Sequence, residues 1–291
     1  MRGNPQVRQN ATGVMGPILR GWLPARQKLQ TMHPVLFDTD GAICTIRLNR
    51  PEKRNAVDGE TAAQLRAAFE RFEADDALRV AILTGNGGHF CAGADLTALN
   101  DPAARNELDP AGGRNAPMGP TRMALAKPLI AAINGYAVAG GLELALLADL
   151  RVADADATLG VFCRRWGVPL IDGGTVRLPR IVGMARALDL ILTGRPVGAP
   201  EALAMGLVNR VTTPGGALAE AQALARQIAA FPQRCMLADR SSAYAQWDLP
   251  LADALRHEGI AGVPIVAAEG EAGAARFAAG AGRHGEFGRA A

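Results

Sequence analysis

The chain has 291 residues, about two domains at roughly 150 residues each. Apolar residues make up 49% and charged residues 20%, which excludes a disordered or fibrous chain, and aromatics at 4% beside 34 glycines point to close backbone packing. The net charge is +3, but residues 1–31 alone carry Arg2, Arg8, Arg20, Arg26 and Lys28 with no acid, so 26 basic residues meet 28 acidic ones in the rest and nucleic-acid binding is not expected.

In chain order, residues 1–31 are rich in Arg, Gly and Pro. They read as an organelle transit peptide or as an extension upstream of the true start, and in either case as poorly ordered. The second reading is preferred, because Met32 is followed at once by a strand-like run. Residues 35–39 and 42–48 read as paired strands around an Asp40-Gly41 turn. The polar, Pro-broken run 49–58 is a loop. Asp58 is a helix N-cap, with Ala62, Leu65, Phe69 and Phe72 at helical spacing behind it. Residues 80–84 and 129–133 are continuous apolar runs, the mark of strands buried on both faces. Residues 97–120 read as a mobile loop. Glycines 140 and 141 open a wholly apolar helix, and 151–160 is strand-like again. From Leu178 onward the pattern is helical. Strands alternating with helices predict an α/β fold, with a core over 32–210 and a helical region over 211–291.

The four cysteines (Cys44, Cys91, Cys163, Cys235) and four scattered histidines form no CxxC pair and no cluster, so neither a metal site nor a disulfide framework is expected. A reducing compartment fits: the cytoplasm, or the mitochondrial matrix if residues 1–31 are a transit peptide. The longest uncharged apolar stretch, from Pro128 to Leu142, is too short to span a membrane.

Two loops follow buried strands and can carry chemistry. In the first, small residues at 91–94 let a ligand approach the backbone closely. In the second, Gly140 and Gly141 open a helix, whose first N–H groups lack partners and sit at the positive dipole end. Two such amides converging make an oxyanion hole; otherwise the glycines are tight turns. Glu143 is a carboxylate among Leu and Ala in that helix's first turn. It is either a cap or a general acid/base with a raised pKa.

The stretches 49–57, 82–96, 127–153, 172–183, 190–195 and 201–211 together resemble the enoyl-CoA hydratase/isomerase (crotonase) superfamily. The resemblance runs from about Val35 to the C-terminus. It implies a spiral of ββα units with a helical C-terminal region that mediates trimerisation, often as a dimer of trimers. It implies an acyl-CoA substrate, with the amides of Ala94 and Gly140 as oxyanion donors and Glu143 as acid/base. Lys53, Arg54, Ala56, Ala92, Gly93, Asp95 and Leu96 would contact CoA, with a partner subunit's helix near Phe277 covering it. No organic cofactor or metal is implied, since CoA is part of the substrate.

One departure stands out. Cys163 occupies the position of the second glutamate that hydratases of this family use, and a thiol is a poor substitute for a carboxyl. Asp172 reads as a substitute near the acyl pocket or as a helix N-cap. Arg164 and Arg165 read as partners for a second carboxylate on the acyl group or as salt-bridge residues. Cys163 itself reads as pocket lining before nucleophile, and Trp166 as a packing residue. Hydration of a 2-enoyl-CoA is the leading expectation. Isomerisation, decarboxylation or hydrolysis of an acyl-CoA stands beside it, as does a catalytically impaired acyl-CoA-binding protein.

Overall fold

The computed structural model describes residues 33–113 and 115–282; the expectations for residues 1–31 lie outside them. Strands β1 (Val35–Asp40) and β2 (Ile43–Leu48) form a hairpin. Asp40 pairs with Ile43, so the turn falls at Gly41-Ala42, one residue later than expected. Gly41 takes a φ of +55° there, the conformation a two-residue hairpin loop demands. Strands β3 (Val80–Gly85), β4 (Leu129–Ile133), β6 (Leu150–Asp154) and β9 (Arg210–Thr212) then add in parallel, giving the order β1-β2-β3-β4-β6-β9. A second sheet holds β5 (Tyr136–Val138), β7 (Thr158–Gly160) and β8 (Val197–Gly198).

The strand-like run 151–160 therefore divides between two sheets. The chain turns between them, where the Ala157 amide donates to the Asp154 carbonyl. Each of β4 and β6 lies in the large sheet and is followed by a short strand of the small sheet and then a helix. These helices are α2 (Gly140–Leu147) and α3 (Gly174–Val182). The ββα repetition is the one the resemblance implies.

Helix α1 (Gly59–Ala74) starts where Asp58 accepts hydrogen bonds from the Thr61 amide at 2.9 Å and hydroxyl at 2.7 Å. Alternation along the strands sorts the core into two layers. Cys44, Ile46, Ala81 and Leu83 face Leu65, Phe69 and Phe72 of α1. Ile43, Val80, Ile82, Ile130 and Val152 face Ala217, Ala221 and Leu224 on the other side. Those last three belong to α6 (Ala217–Ala230), so the first C-terminal helix closes the sheet sandwich. Helices α4 (Met184–Thr193) and α5 (Ala199–Ala204) bury Ala187, Leu190, Ala199 and Ala202 in the same core cluster as α1. Helices α7 (Gln233–Ala245), α8 (Leu251–Ile265) and α9 (Glu271–Ala278) contain no buried residue. Among the described residues no helix is long and apolar enough to cross a membrane.

Phe69 is wholly buried where α1 meets the sheet. Phe69→Ala should cost about 3–5 kcal/mol by transfer loss plus the cavity it leaves. Chemical denaturation of wild type and variant measures it.

Candidate active site

Two backbone segments meet at the end of the large sheet. The first is the loop after β3, tied down at several points. Val57 donates to the Gly93 carbonyl and accepts from the Asp95 amide, both at 2.8 Å, while Cys91 accepts from Val138 at 3.1 Å. The second is the start of α2. Glycine is required at both faces of this contact. A Cβ on Gly93 would lie 3.0 Å from the Gly140 nitrogen, and one on Gly141 would lie 2.2 Å from the Cys91 carbonyl oxygen.

Ala139, the N-cap of α2, adopts φ 54° and ψ −127°, a region L-residues avoid. Its amide donates to Gly160 of β7 at 2.9 Å, and its carbonyl accepts from Leu142 and Glu143 in the helix's first turn. The strained residue is thus pinned from both sides. The amides of Ala94 and Gly140 donate to no acceptor among the described residues. Ala94 and Gly140 line the same cavity of about 210 Å³.

Glu143 and Asp172 also line that cavity, and each is only 3% exposed. Glu143 Oε1 accepts from the amides of Asp172 at 2.9 Å and Gly174 at 2.8 Å. The carboxylate therefore serves the start of α3 instead of capping its own helix. Burial, reinforced by the nearby Asp172 carboxylate, pushes the Glu143 pKa up to about 7 against the pull of those two amides. Asp172 does not cap α3; Gly173 is the N-cap and no side chain caps it. Asp172 Oδ1 instead accepts from the Met118 amide at 3.0 Å and from the Thr121 hydroxyl. Burial raises its pKa too, although Thr121, Met118, Arg122 and Arg177 oppose the rise. Glu143 Oε2 and Asp172 Oδ2 carry no hydrogen bond among the described residues. The site therefore holds two carboxyls, each with one oxygen tethered and one uncommitted.

Cys163 lines the cavity on the 3-10 turn Phe162–Trp166, with its pKa raised by burial and then by the Glu143 charge. The thiol stays protonated, against a nucleophilic role. Its arginine neighbours turn away. Arg164 donates to the Ile191 carbonyl at 3.0 Å; Arg165 donates to Gly194 and lies 4.0 Å over the Phe162 ring. Neither lines the cavity; both hold the end of α4 through backbone carbonyls. Trp166 corrects the expectation of a packing residue. It is 72% exposed and lines the cavity.

Of the residues expected at CoA, Ala92, Asp95 and Leu96 line the cavity, while Lys53, Arg54, Ala56 and Gly93 do not. The two loops are joined, since the Ala92 amide donates to the Arg54 carbonyl at 3.0 Å. The Asp95 side chain is occupied structurally. It pairs with Lys53 at 2.8 Å and Arg50 at 3.0 Å. Burial works against its ionisation, but the Lys53, Thr97 and Arg50 hydrogen bonds prevail and hold its pKa at about 2. Phe277 is 62% exposed on α9. Among the described residues no group of three or more His, Cys, Asp and Glu side chains is placed to hold a metal.

Sequence reasoning missed the residues that brace the site. Asn55 is fully buried at φ 57°, accepts from the Arg50 amide, and donates to the carbonyls of Asn86 and His89. Thr121 and Met118 support Asp172 from a stretch that reads as polar loop. Met118 and Asn106 are buried, so that stretch contributes to the wall although residues 97–115 contain no helix or strand among those described. Nothing in the local sequence signals the roles of Met118 and Thr121, because their partner Asp172 is 51 or more residues away.

The sequence pattern of the family described as enoyl-CoA hydratase/isomerase matches residues 38–260. A mevalonyl-coenzyme A hydratase of Beauveria bassiana is 36% identical over 74% of this chain and 81% of its own. A probable enoyl-CoA hydratase of Rhizobium meliloti is 38% identical over 77% and 86%. The crystal structure of an enoyl-CoA hydratase from Mycobacterium marinum superposes with a TM-score of 0.78 at 37% identity, covering 84% of this chain and 95% of that one.

Asn55 gives the bracing a direct test. Asn55→Ala strands an amide and two carbonyls in the interior, so it should lower stability by about 2–3 kcal/mol. Asn55→Asp should cost at least as much, since a carboxylate has no hydrogen to offer the Asn86 and His89 carbonyls. Thermal and urea denaturation of the two variants give the comparison.

Proposed function

The chain belongs to the enoyl-CoA hydratase/isomerase family, and we propose that it is a lyase that adds water across the double bond of a 2-enoyl-CoA thioester. The observation that carries this reading is the pair Glu143 and Asp172 on one cavity with the uncommitted amides of Ala94 and Gly140. In it, the thioester carbonyl accepts from those two amides. Glu143 takes a proton from water as the water oxygen bonds to the β carbon. The π electrons move through the α carbon onto the thioester oxygen, giving an enolate. The amides hold that charge, an interaction for which loss of one donor typically costs about 10²–10³ in rate. The enolate then takes a proton at the α carbon from the Asp172 carboxyl, and the proton on Glu143 restores the pair's inventory.

Asp172 in this scheme supplies the carboxyl missing at Cys163. Low polarity and mutual repulsion disfavour double ionisation of the pair, which keeps one proton available at neutral pH. CoA lies outside the acyl cavity along the loop bearing Lys53, Arg54 and Ala56, and against Ala92, Gly93 and Leu96. The chemistry needs only water and the thioester, with no organic cofactor or metal. Leu251, Leu255, Ile260 and Val263 on α8 are each at least 60% exposed, which supports a homotrimer or dimer of trimers in which α8 is covered.

Glu143→Gln and Asp172→Asn should each lower kcat for crotonyl-CoA by about 10²–10⁴. Both substitutions keep the oxygens that accept the tethering hydrogen bonds, so affinity for a saturated acyl-CoA should stay within a few-fold. Loss of enoyl absorbance gives the rate and calorimetry the affinity. Undiminished turnover in either variant removes that residue from the scheme.

The pH profile supplies a second check. The scheme needs one proton on the pair, and the step near pH 7, raised by burial and by the Asp172 charge, is the loss of that last proton. kcat/KM should therefore decline on the alkaline side with an apparent pKa of about 7 belonging to the pair. A profile flat up to about pH 9 contradicts it.

A further inference from the structure

Asn106 is 7% exposed and lies in the irregular stretch that walls the acyl cavity. Its side-chain nitrogen donates to two backbone carbonyls, Val57 at 3.1 Å and Pro117 at 2.7 Å. That pairing decides which amide atom is which, since an oxygen turned toward two carbonyl oxygens would be repelled. Both N–H hydrogens are committed. Oδ1 accepts no hydrogen bond among the described residues, and it is not among the side-chain atoms sealed from all space without a partner. It is an open acceptor on the wall of an otherwise largely apolar cavity.

The anchors tie it to the backbone that carries the site. Val57 pairs with Ala94, and Pro117 precedes Met118, which binds Asp172 and abuts Gly140. Asn106 is thus anchored to residues adjoining both an oxyanion donor and a donor to the second carboxyl, and lines the cavity they share. Leu96, Leu99, Leu108, Met118 and Ile171 supply apolar wall in the same cavity. An alkyl chain filling it would displace water from Oδ1 and offer only C–H in return. A hydroxyl would donate.

We propose that Asn106 Oδ1 selects acyl-CoA thioesters whose acyl chain carries a hydroxyl beyond the reacting carbons. The inference rests on the acyl-CoA reading of this site and names its substrate class. An acceptor left unpaired on burial weakens binding by about tenfold to a hundredfold, and that is the discrimination expected against the plain chain.

Calorimetry on the full wild-type chain tests it without turnover, using saturated thioesters. The pairs are 6-hydroxyhexanoyl-CoA against hexanoyl-CoA and 3-hydroxybutanoyl-CoA against butanoyl-CoA. The proposal expects the 6-hydroxy compound to bind at least about tenfold tighter than its plain partner. Equal affinities overturn it, and so does a preference confined to the 3-hydroxyl. If crotonyl-CoA is nonetheless hydrated, the proposed function survives that failure. If no thioester binds, both fall together. Asn106→Leu, checked for folding by its melting curve, should lose the preference, and a preference kept in the folded variant assigns the selection elsewhere. Should that variant not fold, the wild-type pairs still decide.

Discussion

The approach of the loop after β3 to the first turn of α2 is the contact on which the site depends. It brings two chain segments so close that a methyl group on Gly141 would collide with the Cys91 carbonyl. At the same point Ala139 is held in a backbone conformation costing on the order of 1–3 kcal/mol. The cost is borne because β7 and the first turn of α2 grip Ala139 on both sides. Relaxing it would shift Gly140, which lines the same cavity as Ala94. A strained peptide, two glycines and two amides without acceptors are therefore one arrangement seen from different atoms.

The electrostatics follow from the same closure. Packing α2 entirely in the interior puts Glu143 among apolar side chains, where ionisation is disfavoured. The amides at the start of α3 oppose that effect without cancelling it. Asp172 experiences a similar balance, with Thr121 and Met118 as its donors. Each carboxyl is rigid because one oxygen is tied, and each is chemically open because the other is not. Cys163 sits beside them with a raised thiol pKa and adds bulk without charge. In contrast, Asp95 is drawn fully into ionisation by Lys53 and Arg50, which makes it a clasp between loops.

Much of this was legible from residues alone, and the reason is local. The strands at 80–85 and 129–133 announce themselves as apolar runs because both faces are covered. Asp58 announces α1 because an N-cap needs only its own next three residues. Glu143 stands out because a carboxylate is costly among leucines. What could not be read depends on partners far along the chain. Asp172 has the sequence of a cap and the contacts of a pocket carboxyl, since Thr121 lies 51 positions away. Arg164 and Arg165 look like ligands for a carboxylate until the folded chain gives them the carbonyls of α4 and of Gly194.

The sequence by itself determined the α/β class, the order of the elements, the two glycine-bearing loops and the presence of a lone carboxylate in an apolar helix. Periodicity, turn residues and polarity act over a few neighbours, and these features need nothing more. Only the tertiary structure decided that Asp172 lines Glu143's cavity, that Trp166 is exposed, and that Asn106 lines the same cavity with its nitrogen bound to two distant carbonyls. Those outcomes depend on which distant backbone donors and acceptors meet a side chain once the layers close, and no local pattern encodes that meeting.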